Sequence, residues 1–526
     1  MCSYEEGEGR VELAMEALLY ALVLLLCGLA LHFYYNAWIR PERIRRKLRL
    51  QGIGGPPPAF LHGNLKEVRR FVGEEKGRRR GGGEEKIRHD YSSALFPYFD
   101  RWRSMYGPIF LYTMGNVPML HVSHPELVRE MNLCKSLDLG KATYLKRTHE
   151  PLFGHGILKS NGDSWTQQRK IIAPEFFMDK VKGMVELMVD SAMPLLRTWE
   201  RRVEDGGGTA EINIDEDLKS YSADVISRAS FGSSYSKGKQ IFLKLYELKK
   251  AVSKPNLLLE ITGIRHIPTK SNREVWKLNK EIRSLILEVV REGSINEGRC
   301  SPENNLLRAI LRSTTDAGGG DAEDFVVDNC KNIYFAGHET TAVAATWCLL
   351  LLALHPEWQE RTRAEVKELC AGRSPDANSL LKMKTLTMVI QEVLRLYPPG
   401  PVISREALRD IKLGTIQLPK GINIFIPVPT MHQNHDTWGA DAYEFNPKRF
   451  EHGVTGACRL PQTYLPFGAG PRTCLGQNFA MVELKIVLAL ILIKFSFVLS
   501  PNYKHSPMLR LIVEPEHGVG LIVKKV

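Results

Sequence analysis

Near the C-terminus, Phe467-Gly468-Ala469-Gly470-Pro471-Arg472-Thr473-Cys474-Leu475-Gly476 sets one cysteine among three glycines, directly before an apolar helical pattern from Gln477 to Phe495. No other stretch restricts the fold as much. Glycine accepts backbone conformations that other residues resist, so the chain can wrap closely around the sulfur and let backbone N–H groups crowd it. The start of the following helix and Arg472 both favour the charged form of a thiol placed there. Cys474 therefore reads as a thiolate metal ligand, against the plain alternative of one more inert buried cysteine.

The other end of the chain is equally specific. Ala17 to Tyr35 reads ALLYALVLLLCGLALHFYY, nineteen residues in which His32 is the one ionisable group besides the tyrosines. As a helix it measures about 29 Å, enough for a hydrocarbon core of about 30 Å. The preceding flank carries Glu5, Glu6, Glu8, Glu12 and Glu16 against Arg10, and Arg40, Arg43, Arg45, Arg46, Lys47 and Arg49 follow it. That asymmetry keeps the basic side and all that follows in the cytosol. A cleaved signal peptide ending at Gly28-Leu29-Ala30 is the rival, which the acidic leader and the apolar length oppose. The expected organisation is residues 1–16 outside the cytosol, 17–39 as a transmembrane anchor, 40–58 as a basic and proline-rich linker, and 59–526 as the catalytic body. GIGGPPP from Gly52 to Pro58 reads as a stiff joint.

A formal charge of +12 raises the question of nucleic acid, but the basic clusters lie beside the anchor and in a glycine-rich stretch, with no interleaved aromatic platforms. Nucleic-acid binding is not expected, and nothing implies an obligate oligomer. The nine cysteines lack C-x-x-C pairs, which argues against a zinc site or a disulfide framework and for a reducing compartment. Strands are expected on both sides of Gly115-Asn116 between Pro108 and Val122, and in LRLIV and GLIVKKV at the C-terminus. Helical spacing covers Met184 to Arg202, Trp276 to Glu292, Phe325 to Leu354, Thr385 to Leu396 and Gln477 to Phe495. The glycine clusters 81–83, 206–208 and 318–320 read as exposed loops. No internal repeat or second-domain linker stands out. The fold class is mainly α with small β-sheets.

Further chemistry sits inside the helical patterns. Phe335-Ala336-Gly337-His338-Glu339-Thr340-Thr341 places a glycine, which costs a helix about 1 kcal/mol, and a polar run in an apolar core. Such a locally loosened helix is a functional candidate; alternatively Gly337 eases helix packing and Glu339 faces solvent. Glu392 and Arg395 share a helix face at i and i+3, a spacing that by itself describes a surface ion pair. Trp165 and Arg169 share another face.

Together these segments resemble the cytochrome P450 superfamily. The cysteine loop matches F-G-x-G-x-R-x-C-x-G at every specified position, and W-x-x-x-R (Trp165, Arg169), A-G-x-E-T-T (Ala336 to Thr341), E-x-x-R (Glu392, Arg395) and P-x-R-F (Pro447 to Phe450) occur in the family's order. The resemblance implies a cytochrome P450 fold and haem b, iron protoporphyrin IX, with Cys474 as the iron ligand. It assigns Trp165, Arg169, Arg405, Phe467 and Arg472 to cofactor binding, the cations gripping the haem carboxylates. Thr340 would steady bound oxygen, Glu339 would feed protons, and Glu392, Arg395 and Arg449 would form a buried network behind the haem loop.

No glycine-rich dinucleotide fingerprint follows a predicted strand, so electrons are expected from a separate NADPH-cytochrome P450 reductase. The resembled microsomal members imply an endoplasmic reticulum membrane protein with a single span and a lumenal N-terminus. The run from Ala336 to Glu368, with Gln51-Gly52-Ile53, resembles the plant 72 clan and within it the branch that oxidises gibberellins. The expected activity is therefore mono-oxygenation of a small hydrophobic terpenoid with O2, hydroxylating or epoxidising it. Brassinosteroids, cytokinins and triterpenoids are alternative substrates, and a non-oxygenating haem isomerase or a haem or sterol binder are alternative functions. By analogy the substrate is read by Leu139 to Lys159, Lys244 to Ile267, Val402 to Arg405 and Pro507 to Leu511. Lys146, Arg147 and Arg265 are candidate partners for a substrate carboxylate.

Overall fold

Apolar residues repeating at three- and four-residue spacing make helices over most of the chain. The computed structural model describes residues 2–80, 87, 89–232, 235–252, 268–295, 306–313 and 320–526. At the centre runs one long helix, Gly320–Leu354. Its second half, from Ala342 to Ala353, is apolar on every face apart from Thr346 and buried throughout, which only a helix enclosed by others can sustain. Around it pack Asp215–Phe231, Lys384–Leu396 and Gln477–Lys494. The expected helices are all present, extended at their ends to Val185–Asp205 and Lys270–Ile295. The last one stops at Lys494, because Phe495 begins a strand.

Beside the helices lies a five-stranded sheet in the order Ile109–Met114, Val117–Val122, Asn423–Pro427, Val402–Ala407 and Leu139–Gly140. Its first pair is the hairpin expected around Gly115-Asn116, with Ile109 opposite Val122 and Gly115 at φ 63° in the turn. LRLIV is not one strand. Leu511 has φ 67°, so the chain reverses there and splits the segment into a hairpin of Pro507–Arg510 and Ile512–Pro515. GLIVKKV does supply a strand, Gly520–Lys525, at the centre of a three-stranded sheet. Of the glycine clusters, 206–208 is an exposed turn; 81–83 lies outside the described residues, as do 318 and 319, while Gly320 opens the central helix.

The N-terminal helix Cys2–Tyr34 is exposed from Ala14 to its end, leucines included. The span Ala14–Arg49 contains a window of mean hydropathy 2.3 with no part buried, whereas the comparable window in the central helix is 83% buried and is simply core. An apolar helix whose most hydrophobic window is left wholly unburied fits a membrane anchor. Residues 40–58, expected as a linker, instead lie against the body. Ile44, Leu48 and Ile53 join the core over the five-stranded sheet, and Leu111 N–H donates to the Gly54 carbonyl at 2.8 Å. Gly55 could not be otherwise, since a Cβ there would meet the Leu111 carbonyl oxygen at 1.8 Å.

Buried histidines, among them His89, His121, His338 and His432, make the fold acid-sensitive. Burial first, and neighbouring cations second, hold His89 and His121 down at about 3; burial does the same for His432, against a hydrogen bond to the Arg395 carbonyl. Below pH 6.5 the unfolded chain binds protons that the folded chain refuses, so stability is full above that value and is lost as pH falls towards 3. The slope is up to about 1.4 kcal/mol per pH unit for each histidine. His121 stacks on Phe110 at 4.3 Å and neither ring nitrogen has a partner. His121→Phe should raise stability by ~1–2 kcal/mol and make the acid slope shallower, as measured by thermal unfolding between pH 5 and 8.

Candidate active site

The cysteine loop is shaped by two left-handed glycines, Gly468 at φ 69° and Gly470 at φ 70°. A Cβ on Gly470 would stand 2.9 Å from the Asn132 carbonyl oxygen, so the loop can approach the Pro125–Leu133 helix only with glycine there. Cys474 N–H closes the loop onto the Phe467 carbonyl at 2.9 Å. Cys474 then faces a cavity of about 280 Å³, with Phe467, Trp165, Arg169 and Arg472 also in its wall. Ala336, Gly337, Thr340 and Thr341 of the central helix form another part of that wall.

The expectation that Arg472 favours a thiolate is corrected. Burial pushes the Cys474 thiol up, and the groups that pull it down are the Gly476 backbone N–H, Arg169 and Lys141. Arg472 is engaged elsewhere: its guanidinium donates to the Ser160 carbonyl at 2.9 Å and to Asn161 Oδ1 at 2.7 Å, and lies 4.4 Å over the Trp165 ring. Arg169 flanks the same ring at 5.4 Å and donates to the Thr473 carbonyl at 3.0 Å. Arg405 is buried and held down to about 10 by its burial, and it lines a smaller cavity together with Arg472 rather than the main one.

These residues fit a haem. Among the described residues no cluster of His, Cys, Asp and Glu could hold a bare metal ion, so a metal at Cys474 must bring further ligands of its own. Among the described residues Arg472 Nε is buried without a partner, which a carboxylate on the cofactor would satisfy. Gly476 lines the cavity where a Cβ would meet nothing within 4 Å, so only the lack of a side chain keeps that space clear.

Across the cavity, the expected loosening of the central helix does not take the form of a break. The helix runs continuously through residues 336 to 341, and Thr340 Oγ1 donates back to the Ala336 carbonyl at 2.7 Å. Gly337 serves packing: a Cβ there would sit 2.5 Å from Ile226 Cδ1. Glu339 does not line the cavity, nor does it face solvent. Its carboxylate turns to Lys249 Nζ at 2.6 Å.

Behind the loop, Glu392 and Arg395 form a two-pronged pair at 2.7 and 2.8 Å with no solvent exposure, which excludes the surface reading. Arg395 also donates to the carbonyls of His432, Ala442 and Glu444. Arg449 approaches Glu392 at 3.6 Å, but its closer partner is Asp441, at 2.8 Å. His432 completes the link to the loop. Its Nδ1–H donates to the Arg395 carbonyl at 3.0 Å and its Nε2 accepts the Leu465 N–H at 2.7 Å, two residues before Phe467.

Residues 86–523 match the family described as Cytochrome P450. The chain belongs to the cytochrome P450 family. Its relatives include Cytochrome P450 714B2 of Oryza sativa subsp. japonica, 56% identical over 95% of each chain. Cytochrome P450 714B3 of Zea mays is 56% identical over 99% of this chain and 98% of its own. Cytochrome P450 714A2 of Arabidopsis thaliana is 46% identical over 94% and 95%. The names carry 714, not the 72 of the clan the motifs were read as resembling, so this P450 is placed beside 714 proteins instead. The family works with a haem-thiolate cofactor, oxygen, a redox partner and a substrate, and this P450 is a mono-oxygenase.

Sequence reasoning singled out none of four further residues, although one of them, Lys141, lies in the Leu139 to Lys159 segment expected to read the substrate. Lys141 lines the cavity, Asp441 and His432 complete the buried network, and Glu483 lies in the helix after Cys474. Glu483 had a signal: a lone acid in an otherwise apolar helical run. It is wholly buried, neither carboxyl oxygen has a partner at normal hydrogen-bond geometry among the described residues, and burial pushes it well above the usual range against a smaller pull from the nearby Ser222 hydroxyl. The folded P450 therefore keeps a proton that the unfolded chain releases above about 4.5, and stability falls as pH rises from there. Glu483→Gln should remove that fall and raise stability at pH 8 by ~1–3 kcal/mol in urea unfolding. Arg395→Met strands the Glu392 charge and should cost ~3–5 kcal/mol, leaving a protein that no longer retains haem on gel filtration.

Proposed function

We propose that this P450 hydroxylates or epoxidises a carboxylate-bearing terpenoid, most specifically a gibberellin, with haem b as cofactor and electrons from NADPH-cytochrome P450 reductase. The observation that carries the reading is the wall of the cavity facing Cys474. It is built from Phe176, Ile226, Ile333, Leu394 and Leu484, it contains several cations, and no Asp or Glu lines it. An apolar, polycyclic acid suits such a wall, and a cationic or strongly polar substrate does not.

Cys474 supplies the thiolate, and Trp165, Arg169, Arg405 and Arg472 hold the haem carboxylates. When bound, a thiolate-ligated haem uses O2, two electrons and two protons to put one oxygen atom into the substrate and the other into water. The chain's part is positioning and proton supply. Thr340 lines the cavity from the central helix, its hydroxyl bonded to the Ala336 carbonyl, and Glu339, one residue earlier, is the acid of the proton supply. The Glu392, Arg395 and Arg449 network, tied through His432 to Leu465, keeps the cysteine loop in register.

Of the cations first considered for a substrate carboxylate, Lys146 does not line the cavity, Arg265 lies outside the described residues and so does the Arg147 side chain. Lys141 replaces them. Burial, Arg405, Lys159 and Arg472 push its ammonium well below the usual range. With Arg169 and Arg472 in the cavity wall assigned to the haem carboxylates, Lys141 would be left for an anion on the substrate.

The N-terminal helix would anchor the protein in the endoplasmic reticulum membrane as a single span. The acidic flank before it and the basic Arg40–Arg49 helix after it support a lumenal N-terminus and a cytosolic body. Residues 1–16, 17–39 and 40–58 then serve as lumenal end, anchor and connecting segment to the 59–526 body, the connecting segment being packed on that body.

Reduced protein with carbon monoxide should show the strongly red-shifted Soret band of a thiolate-ligated haem, and Cys474→Ser should abolish it. A panel of gibberellins, brassinosteroids and cytokinins assayed with reductase and NADPH should yield product from gibberellins. Lys141→Met should raise KM for a gibberellin acid by roughly tenfold while leaving its methyl ester unaffected, about what one charge-assisted hydrogen bond is worth. Loss of haem with unchanged KM would return Lys141 to the cofactor.

A further inference from the structure

Residues 152–160 contribute Ile157 and Leu158 to the cavity wall, and every backbone N–H along them donates a hydrogen bond. Most of these bonds close onto carbonyls a few residues back. The others go to side chains of the central helix. His155 N–H donates to Asp328 Oδ2 at 2.8 Å, Ile157 N–H to Asn329 Oδ1 at 3.1 Å and Leu158 N–H to Asn332 Oδ1 at 2.9 Å. Asn332 also donates to the Phe153 carbonyl at 2.7 Å and to the Asp328 carbonyl at 2.6 Å, so both its amide hydrogens are committed to the protein. Asn329 and Asn332 are wholly buried, and Lys331 holds the Asp328 carboxylate at 2.9 Å. Two glycines make so close an approach possible. A Cβ on Gly154 would stand 2.1 Å from the Asp328 carboxylate, and one on Gly156 would stand 2.4 Å from Asn332 Nδ2. From the other side, Gln168 Nε2 donates to the His155 carbonyl at 3.1 Å.

We propose that Asn332, supported by Asp328 and Asn329, is a specificity-determining positioning residue: it fixes residues 153–158 as a rigid wall of the cavity and so sets which carbon of the substrate is presented for oxidation. This role rests on the cavity facing Cys474 being the substrate site, and not on which terpenoid fills it. Asn332, Ala336 and Thr340 follow one another at four-residue spacing along one face of an unbroken helix, and all three line the cavity. At a rise of 1.5 Å per residue, Asn332 stands about 6 Å along the axis from Ala336 and about 12 Å from Thr340. The helix therefore measures out how far Ile157 and Leu158 are held from Thr340. Moving the wall would leave the Leu158 N–H, the Phe153 carbonyl and the buried Asn332 carboxamide to find new partners together, so the substrate must fit the wall and not the reverse. A misplacement of about 1 Å at the reacting centre can cost on the order of a hundredfold in rate, which is enough to tell neighbouring carbons of a rigid polycyclic molecule apart. Asn332 achieves this by shape, since its donors are already engaged. The polar residues Asp328, Asn329 and Asn332 in a buried helix thus have a use that apolar packing does not supply.

The test compares Asn332→Leu and Gly156→Ala with the parent in the full-length, haem-loaded protein. Asn332→Leu keeps the side-chain bulk and removes the hydrogen bonds from the helix side, while Gly156→Ala pushes on the same carboxamide from the wall side. Using both partners keeps the comparison available if one variant folds poorly. Hydrogen exchange of residues 153–160, read by mass spectrometry, needs no substrate. The segment should be protected in the parent and should exchange roughly tenfold faster in both variants, as loss of one hydrogen bond allows. With reductase, NADPH and whichever terpenoid the panel shows to be turned over, the ratio of the main product to its positional isomers should fall roughly tenfold in both variants. The spectrum of the reduced, carbon-monoxide-bound protein should stay that of the parent, which separates a moved wall from a damaged haem site. Free exchange of the segment in the substrate-free parent would overturn the proposal, as would an unchanged product ratio in a variant whose segment exchanges faster. Loss of the parent spectrum in both variants would reduce Asn332 to a folding residue and overturn it too. A parent that converts no compound of the panel would sink the terpenoid reading instead, and the two failures are told apart because the exchange readout uses no substrate.

Discussion

The pairing of Glu392 with Arg395 is the interaction on which the site depends. Both side chains are wholly removed from water, and ions so placed are tolerated only when their remaining donors and acceptors are used. Here they are: three backbone carbonyls receive Arg395, and the Asn446 N–H donates to Glu392. Those groups come from segments far apart in sequence, so the pair fixes the relative positions of the Lys384–Leu396 helix and residues 432 to 450. His432 extends the constraint, since the same residue accepts from Leu465 and donates to Arg395. The cysteine loop begins two residues later. A thiolate ligand must stand at a set distance from its metal, and the pair determines where that loop can stand.

The opposite wall is built on a different principle. Cys474 sits on a loop locked by charge, whereas Thr340 sits on a helix locked by apolar packing. Gly337 lets the Asp215–Phe231 helix come close enough for Ile226 to occupy the space a side chain would take, and Ser222 donates to the Gly337 carbonyl from the same helix. That contact uses a carbonyl at the point where the helix turns towards the cavity. Local polarity is thus introduced without breaking the helix.

The sequence made visible those parts of the site whose chemistry is local. Gly468, Gly470 and Cys474 lie within a few residues of each other, and the glycines were legible because left-handed backbone demands them. The central helix was legible because an all-round apolar pattern has few other uses. What stayed hidden depends on contacts between distant segments. Asp441 lies eight residues from Arg449 with nothing to mark it as the closer partner, and Lys249 lies ninety residues from Glu339. Leu511 illustrates the same limit for backbone. A strongly strand-forming run, LRLIV, conceals a reversal that its composition does not announce. Residues 40–58 were misread for a related reason: prolines and glycines describe an extended chain, but not whether that chain is free or laid along a sheet edge.

Cations around the cavity show how one excess can serve two ends. Arg169, Arg405, Arg472 and Lys141 gather at one side of the site without an acidic neighbour in the cavity wall, an arrangement that repels itself unless anions arrive. Arg405 and Arg472 are each held down to about 10 by burial, Arg472 also by the other two arginines, so the site as folded is poised for negative charge. Haem carboxylates, when bound, would neutralise part of this. If the remainder were excess only, burial would have been avoidable by leaving Lys141 at the surface, since a lysine stem reaches water easily from a loop of this kind. On the function proposed above, its place in the wall would favour an acid, and the apolar residues around it would favour one that is otherwise hydrophobic. Substrate class and cofactor retention are in this way two consequences of the same cluster.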